Sequence, residues 1–334
     1  MKLVLEDVEL ETDQIRVFRF RAEAGGSLPG YEPGAHVKFD LGPLGEREYS
    51  LIDWPETDDL YTVAVQREES GQGGSKAMHA LSAGQSISVS EPKNDFPLAE
   101  DVPHVLLLAG GIGITPLISM ATRLKSQDRS FELHYSARSA ARMGFADKLK
   151  NAFGDNARFY LDDTDPLDLA ALMKAQPSGT HLYICGPKGM IDAARAAATA
   201  AGLAEEAIHV ELFTAPQAQS GDAAFEVEVH STGQVVTVAP DQTIIQALED
   251  AGLDVMYDCQ RGDCGICQTA VLDGIPDHRD VILTDDERAA FERLQAESEV
   301  EDSTDVQVHG VGFDEWLDAQ QTALAAQSFD DDLR

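Results

Sequence analysis

Three of the four cysteines crowd into one short loop, and this feature constrains the chain more than any other. Cys259, Cys264 and Cys267 form a Cys-x4-Cys-x2-Cys pattern with glycines between the thiols. The spacing lets one loop wrap a compact cluster, and glycine lets backbone N–H groups approach sulfides closely. Zinc is the alternative, but zinc sites usually pair such cysteines with a distant second pair. The loop therefore favours an iron–sulfur site over zinc or a disulfide framework.

The length of the chain bounds the number of domains, and its charge limits the kinds of partner it can bind. The chain has 334 residues, enough for two or three domains of ~100–150 residues each. Its 59 acidic and 25 basic residues give a formal net charge of −34, which repels nucleic-acid backbones and anionic lipid headgroups. We therefore expect neither nucleic acid nor membrane as a partner. The charge is explained either by a solubility- or salt-adapted surface or by an acidic face that steers a basic redox partner.

The start of the chain predicts a cytoplasmic location. Glu6 and Asp7 fall where a secretory signal would carry its apolar stretch. The longest uncharged run, residues 105–121, contains several glycines and a proline and is shorter than the ~20 residues a membrane helix needs.

Hydrophobic patterning predicts successive domains of different class. Residues 1–100 alternate apolar and polar positions in short runs, as at 60–65 and 86–89, which is typical of an antiparallel barrel. Residues 101–214 instead carry continuous apolar strands, at 105–109, 131–135 and 181–185, with alanine-rich helical stretches between them. That alternation predicts an α/β domain with a parallel sheet.

The sequence from residue 215 onwards predicts a linker, a small domain and a tail. Residues 215–222 lack periodicity and are interpreted as the linker. Residues 223–310 open with a predicted hairpin (225–229 and 234–238) and a helix (243–251), followed by the cysteine loop. The acidic tail, 311–334, places four apolar residues on one face of a possible helix, which would either dock a partner or pack on its own domain: Phe313, Trp316, Leu317 and Leu324.

Two motifs in the barrel region suit a phosphate-bearing ligand. On a strand, Arg47 and Tyr49 face the same way, and Ser50 adds a hydroxyl. Gly73, Gly74 and Ser75 stand at a predicted helix start (75–81), where backbone N–H groups favour a phosphate. The alternative for this second motif is a plain turn with an N-cap serine.

The α/β region carries a second set of candidate residues. The run 110–116 follows a buried strand and opens a helix, and its glycines allow close approach of a dinucleotide. Cys185 ends a strand at the edge where open α/β sheets bind ligands, although a buried structural cysteine is the alternative. Arg138 follows another strand, where it would meet a 2′-phosphate or the ribose and pyrophosphate of NADH. The candidates here are Gly110, Gly111, Gly113, Thr115, Pro116, Arg138, Cys185, Gly186 and Pro187.

The order of these motifs resembles a known family. The cysteine loop looks like that of a plant-type 2Fe-2S ferredoxin, and its position behind a barrel and an α/β domain resembles the phthalate dioxygenase reductase family, over roughly residues 1–290. The resemblance implies three folds in series, namely an antiparallel flavin-binding barrel, an α/β nucleotide-binding domain and a β-grasp 2Fe-2S ferredoxin-like domain.

The resemblance also implies cofactors and roles. Arg47, Tyr49 and Ser50 match the family's flavin motif, and the family's flavin is FMN, with NADH as the electron donor. By the same resemblance Thr115 lies near the flavin ring, Cys185 lies beside the nicotinamide, and Phe213 supplies an aromatic ring near the flavin. We therefore expect Thr115 and Cys185 to be the catalytic residues.

The chain departs from the family at one ligand. The ferredoxin pattern carries a fourth cysteine about 30 residues after the third, where this chain has Glu297 and Ser298. We expect a 2Fe-2S cluster held by the three thiolates and by Glu297 or Ser298, with His309 as a weaker candidate for the fourth ligand.

The sequence thus predicts the reductase component of an oxygenase or demethylase, with a terminal oxygenase or other acceptor protein as partner. Two alternatives remain. One is a flavin reductase with a cluster-free ferredoxin-like docking domain, and the other is a non-enzymatic scaffold subunit.

Overall fold

The computed structural model describes residues 1–54, 59–213 and 221–257, most positions from 259 to 283, and the backbone of a strand at 306–309. The positions described within 259–283 are 259, 261–262, 264–269, 271–274, 276, 279–281 and 283. The chain divides into two compact units, Met1–Phe213 and Thr214–Arg334. Of the predicted linker, 215–220 lie outside the described residues, as does the tail at 311–334.

The first part of unit 1 is an antiparallel barrel. A four-stranded sheet in the order β5-β2-β1-β6 faces the hairpin β3–β4, and isolated bridges such as Phe39 to Val89 connect the two. The interior is filled by large rings, among them Phe18, Phe20 and Tyr61. The elements are β1 (Lys2–Leu10), β2 (Ile15–Ala22), β3 (His36–Asp40), β4 (Glu46–Ser50), β5 (Tyr61–Gln66), α1 (Gly74–Ala80) and β6 (Ser86–Ser88).

The second part of unit 1 is a five-stranded parallel sheet in the order β11-β10-β7-β8-β9. Its central strand β7 is buried along its whole length, as expected for a parallel strand with both faces covered. The elements are β7 (His104–Gly110), α2 (Ile114–Ser126), β8 (Phe131–Ala137), α3 (Ala146–Phe153), β9 (Ala157–Leu161), α4 (Leu169–Lys174), β10 (Thr180–Cys185), α5 (Lys188–Ala200) and β11 (Ile208–Glu211).

The two parts of unit 1 share one hydrophobic core. Ile15, Val17 and Ile52 of the barrel pack in the same buried cluster as Leu117 and Tyr135 of the α/β part. Trp54 also stacks on the ring of Phe153 of α3, with centroids 6.5 Å apart. A continuous core resists relative movement, so the barrel and the parallel sheet are held in a fixed arrangement.

Unit 2 contains a three-stranded sheet in the order β13-β12-β14 with one helix packed on it. The helix has a capping box, in which Thr243 and Gln246 bond each other's backbone N–H groups. Arg279 and Asp222 form a two-pronged ion pair, at 2.9 and 2.7 Å. The elements are β12 (Phe225–Val229), β13 (Gln234–Val238), α6 (Ile244–Asp250) and β14 (Val306–His309).

The fold class predicted from sequence is confirmed. The strands expected at 105–109, 131–135 and 181–185 are β7, β8 and β10, and the hairpin at 225–229 and 234–238 is β12–β13. The helices expected at 75–81 and 243–251 each begin or end within a residue of α1 and α6. The sequence analysis identified neither β9 nor β11.

Candidate active site

Two loops of the parallel sheet meet at its carboxyl edge. β7 and β10 are neighbours, with Ala109 opposite Cys185, so both chains leave the sheet at the same level. The first loop carries Gly110, Gly111 and Gly113 into α2, and the second carries Gly186 and Pro187 into α5. Ligands of open α/β sheets bind at this edge.

The two loops are in backbone contact because their facing residues are glycines. A Cβ atom added to Gly113 would lie 2.2 Å from the Cys185 carbonyl oxygen, and one added to Gly110 would lie 2.7 Å from Pro187 Cδ. At Gly186, an added Cβ would lie 3.0 Å from Gly110 Cα. Such distances exclude any side chain. The structure therefore brings these predicted residues into direct contact at the carboxyl edge of the sheet.

Thr115 and Pro116 lie in the first turn of α2 and are buried, with Thr115 only 2% exposed. The Thr115 hydroxyl donates to the Ile112 carbonyl at 3.1 Å, a bond within its own turn. The hydroxyl oxygen retains acceptor capacity.

The barrel brings its own two motifs together. Arg47 lies on β4, and its guanidinium donates to the Gln72 side chain at 3.0 Å. A Cβ added to Gly74 would lie 2.8 Å from Arg47 Cγ, so glycine is required for the arginine to cross the start of α1. Arg47 and Gly74 therefore form one cradle.

Tyr49 stands on the same strand and is largely buried. Its ring meets Phe39 edge-on, with centroids 5.7 Å apart. Burial raises the pKa of the Tyr49 phenol to about 12, so the group is a neutral hydrogen-bond donor at physiological pH. Ser50 ends β4 and is 6% exposed.

The start of α1 differs from the plain-turn alternative. The N-cap is Gly73, in the left-handed region at φ +92°, and Ser75 is the second helical residue. The Ser75 hydroxyl accepts the backbone N–H of Glu68 at 3.0 Å. An N-cap serine was therefore wrong, because the reversal of the chain needs a positive φ that only glycine adopts at low cost.

Two predicted residues stand apart from these contacts. Arg138 is exposed and follows β8 directly, at the same carboxyl edge as the glycine loops. Phe213 follows β11 and is 42% exposed, a large ring left partly open to solvent.

The cysteine loop in unit 2 carries three thiols, the ligand type of an iron–sulfur cluster, although among the described residues no three metal-ligating side chains are grouped as a metal site. Cys259 is 7% exposed, and its sulfur accepts the backbone N–H of Arg261 at 3.3 Å. Burial raises the pKa of the Cys267 thiol, and the charge of Cys264 raises it further. Gly262 supports the loop at φ +85°. Backbone N–H groups directed at sulfur stabilise thiolates bound to iron.

The candidates for a fourth ligand cannot be placed in the same way. Glu297 and Ser298 lie outside the described residues, and only the backbone of His309 is described, as the last residue of β14. Cys185, the remaining cysteine, ends β10 in unit 1 and is fully buried.

One residue of the site escaped the sequence analysis. Ser119 is a fully buried hydroxyl on α2, four residues after Thr115, and it bonds the barrel segment that follows Ser50. The available signal was a buried serine in a largely apolar stretch of α2, but nothing in the sequence shows what it bonds.

Together these features define a class of protein: an electron-transfer reductase with a flavin-type barrel, a dinucleotide-type parallel sheet and a ferredoxin-like cysteine loop. In the described part of the chain, none of the helices combines the length and apolar character needed to cross a membrane.

Comparison with known proteins gives the family. Residues 227–295 match the 2Fe-2S iron–sulfur cluster binding domain. The vanillate O-demethylase oxidoreductase of Pseudomonas sp. strain HR199 is 43% identical over 86% of this chain and 93% of its own. The structure of phthalate dioxygenase reductase aligns with a TM-score of 0.67 at 30% identity, over 92% of this chain and 97% of that one. An intact type IV self-sufficient cytochrome P450 monooxygenase aligns at 0.70 with 34% identity; the matched region covers 92% of this chain but 39% of that longer one.

The chain belongs to the phthalate dioxygenase reductase family, the reductase components of oxygenase and demethylase systems. It is accordingly an NADH-dependent flavin and iron–sulfur oxidoreductase, with FMN, NADH and a 2Fe-2S cluster as its cofactors.

Proposed function

We propose that this chain passes electrons from NADH to a terminal oxygenase, or another acceptor protein, of a demethylating or hydroxylating system. The observation that carries the proposal is the backbone contact between the Gly110–Gly113 and Cys185–Pro187 turns, in a unit that also contains the Arg47 cradle. The demethylase role of the Pseudomonas relative supports an oxygenase as the partner.

In this proposal the barrel binds FMN. The Arg47 guanidinium supplies positive charge, Tyr49 donates a hydrogen bond, and Ser50 adds a hydroxyl at the strand end. Gly73, Gly74 and Ser75 place backbone N–H groups at the start of α1, where the phosphate would lie.

The carboxyl edge of the parallel sheet binds NADH. Gly110, Gly111, Gly113 and Pro116 form one wall, Gly186 and Pro187 form the other, and Arg138 meets the ribose side. Thr115 and Cys185 are assigned to the reacting end, and Phe213 to the flavin side. When bound, NADH supplies a hydride, flavin accepts electrons in pairs or singly, and the 2Fe-2S cluster carries one at a time.

Arg47 provides the test of the cradle. We expect Arg47→Ala to purify with most of its FMN lost and to regain the yellow chromophore only at raised FMN concentration, because both the charge and the contact with Gly74 are gone. Arg21→Ala, which removes an exposed arginine of β2, is the matched control and should retain FMN. Full FMN content and unchanged NADH oxidation in Arg47→Ala would remove the assignment.

Arg138 tests the choice of nucleotide. NADH should be oxidised much faster than NADPH with ferricyanide as acceptor. A preference for NADPH of tenfold or more, about 1.4 kcal/mol, would show that Arg138 binds a 2′-phosphate instead.

The cluster would be held by Cys259, Cys264, Cys267 and one oxygen or nitrogen ligand, with Glu297 or Ser298 nearest by count. Rieske centres show that nitrogen can replace sulfur at such an iron. Iron and acid-labile sulfide analysis, with electron paramagnetic resonance of the reduced protein, tests this. Of the variants Glu297→Ala and Ser298→Ala, only the one that removes the ligand should change the electron paramagnetic resonance spectrum. Glu292→Ala is the control and should leave the spectrum unchanged. Near-zero iron after anaerobic reconstitution would contradict the proposal.

A further inference from the structure

Ser119 joins the two cofactor-binding parts of unit 1 through a single hydroxyl. It lies on α2, is fully buried, and donates to the Leu51 carbonyl at 2.7 Å. The same hydroxyl accepts the backbone N–H of Asp53 at 2.8 Å. Leu51 is the residue directly after Ser50, which ends β4, the strand that carries the proposed flavin motif.

The helix gives Ser119 a fixed relation to the proposed nicotinamide loop. Thr115 is one turn earlier on α2, about 6 Å away along the helix axis at ~1.5 Å per residue. Ser119 therefore holds the end of the flavin strand at a set distance from the end of the glycine loop.

The buried, apolar surroundings of Ser119 mean that its hydroxyl needs a hydrogen-bond partner, and that partner lies far away in the sequence. Its neighbours on α2 include Ile118 and Met120, which are fully buried and apolar, so an unpartnered hydroxyl here would cost stability. Serines within helices commonly bond a carbonyl of their own helix. Ser126 of α2 does this, with its hydroxyl on Arg123, whereas Ser119 reaches a carbonyl 68 positions away.

Other bonds keep the two parts attached. The backbone N–H of Phe145 bonds Glu11, and Lys148 forms ion pairs with Glu9 and Glu11. Loss of the Ser119 bonds should therefore loosen the local alignment without separating the barrel from the sheet.

We propose that Ser119 is a positioning residue that sets the alignment of nicotinamide and flavin for hydride transfer; this rests on the proposed function. The step moves one hydride, two electrons with a proton, from NADH to oxidised flavin and leaves NAD⁺ and reduced flavin. A displacement of the reacting atoms by about 1 Å can cost up to ~100-fold in rate.

The test compares Ser119→Ala with Ser119→Thr, which keeps the hydroxyl, and with Ser126→Ala on the same helix. In anaerobic stopped-flow measurements we expect Ser119→Ala to slow flavin reduction at saturating NADH by between about 10- and 100-fold. NADH affinity and FMN content should change little. Ser119→Thr should recover most of the rate, and Ser126→Ala should match the parent.

Two readouts do not depend on turnover. Hydrogen exchange of the segment 51–54 should accelerate in Ser119→Ala, because the Asp53 amide loses its acceptor. The long-wavelength charge-transfer absorbance formed by NAD⁺ and the reduced protein should weaken, since it reports ring contact.

The outcomes are distinct. An unchanged reduction rate in a folded Ser119→Ala protein overturns the inference, as does a rate loss explained by FMN loss alone. Ser119→Cys, which is close in volume, replaces the alanine variant if that protein fails to fold. If the parent protein is not reduced by NADH at all, the proposed function itself fails, before any Ser119 variant is compared.

Discussion

Single glycines decide whether the proposed nicotinamide groove exists. Gly113 has an ordinary helical backbone, with φ near −62°, so its requirement for glycine is not conformational. The requirement comes from space, because the Cys185 carbonyl oxygen lies where a Cβ would be. The contrast with Gly73, which needs its positive φ, shows that two glycines can be essential for different physical reasons.

We expect Gly113→Ala to destabilise unit 1 by about 1–3 kcal/mol, the usual cost of forcing extra volume into a packed site, and to weaken NADH binding. The backbone of one loop must move, since the clashing atoms belong to the chain itself. Thermal unfolding and NADH titration measure the two effects. Gly189→Ala is the control: it lies in α5 with no atom within 4 Å of an added Cβ, so it should be neutral or slightly stabilising.

At this scale the sequence predicted the residue types of the site better than their contacts. The glycines of the first turn were singled out because they allow close approach of a dinucleotide, and Arg47 because it matches the flavin motif of the resembled family. Ser119 was not, because its partners lie 66 and 68 positions away and no local pattern encodes them. The N-cap serine weighed as the alternative at Ser75 was wrong, because Gly73 holds the cap and Ser75 is the second helical residue.

In the parallel sheet, the two edge strands were the ones that sequence patterning missed. β7 and β10 are central and read as continuous apolar runs, whereas β9 and β11 are the two edges of the parallel sheet. β9 has no fully buried residue, and Arg158 and Tyr160 interrupt its apolar pattern. An edge strand buries only part of its surface, so its sequence carries a weaker signal.

The edge strand β11 carries a histidine that links stability to pH. His209 stacks on Tyr183 with centroids 4.3 Å apart, and its Nε2 lies 2.9 Å from His181 Nδ1. Burial, with the neighbouring His181 as a second cause, lowers the pKa of His209 to about 4. The imidazole therefore stays neutral in the folded protein below pH 6.5, where the unfolded chain takes up a proton.

Because the unfolded state binds more protons in this range, the free energy of unfolding should fall as pH drops from about 6.5 towards 5. His209→Gln should make that fall shallower, whatever its effect at pH 7.5. Urea unfolding at pH 7.5, 6.5 and 5.5 measures the slope. His230→Gln, in the exposed turn between β12 and β13, is the control. An identical slope in His209→Gln and the parent would contradict the prediction.

The short helix α6 depends on its cap. It has only 7 residues, and isolated helices of that length are unstable in water. Its stability comes from Ala247 and Leu248, which pack on the sheet, and from the bonds between Thr243 and Gln246.

We expect Thr243→Ala to destabilise unit 2 by about 1 kcal/mol, and Thr243→Ser to restore most of it, because serine keeps the hydroxyl that caps the helix. Loss of cluster absorbance on heating reports unit 2, and flavin fluorescence reports unit 1. The transition followed by cluster absorbance should move to lower temperature, and the transition followed by flavin fluorescence should not. Equal shifts in both would mean that the two units unfold together.

For the whole molecule, the dominant property is its net charge of −34. The two explanations, a solubilising surface or an acidic face for a basic partner, differ in what salt should do. The Debye length, beyond which exposed charges are largely screened, is about 30 Å at 0.01 M ionic strength and about 3 Å at 1 M. A steering field would therefore be lost over an accessible range of salt, whereas solubility would be unaffected at low protein concentration.

Electron transfer to acceptors of opposite charge separates these explanations. If the acidic field steers partners, reduction of a basic cytochrome should slow as ionic strength rises, and reduction of the anionic ferricyanide should quicken, because the same field attracts one and repels the other. The native oxygenase component should follow the basic cytochrome. NADH-dependent flavin reduction, measured at each salt concentration, controls for effects on the first step. Equal salt dependence for both acceptors would leave solubility as the function of the acidic surface.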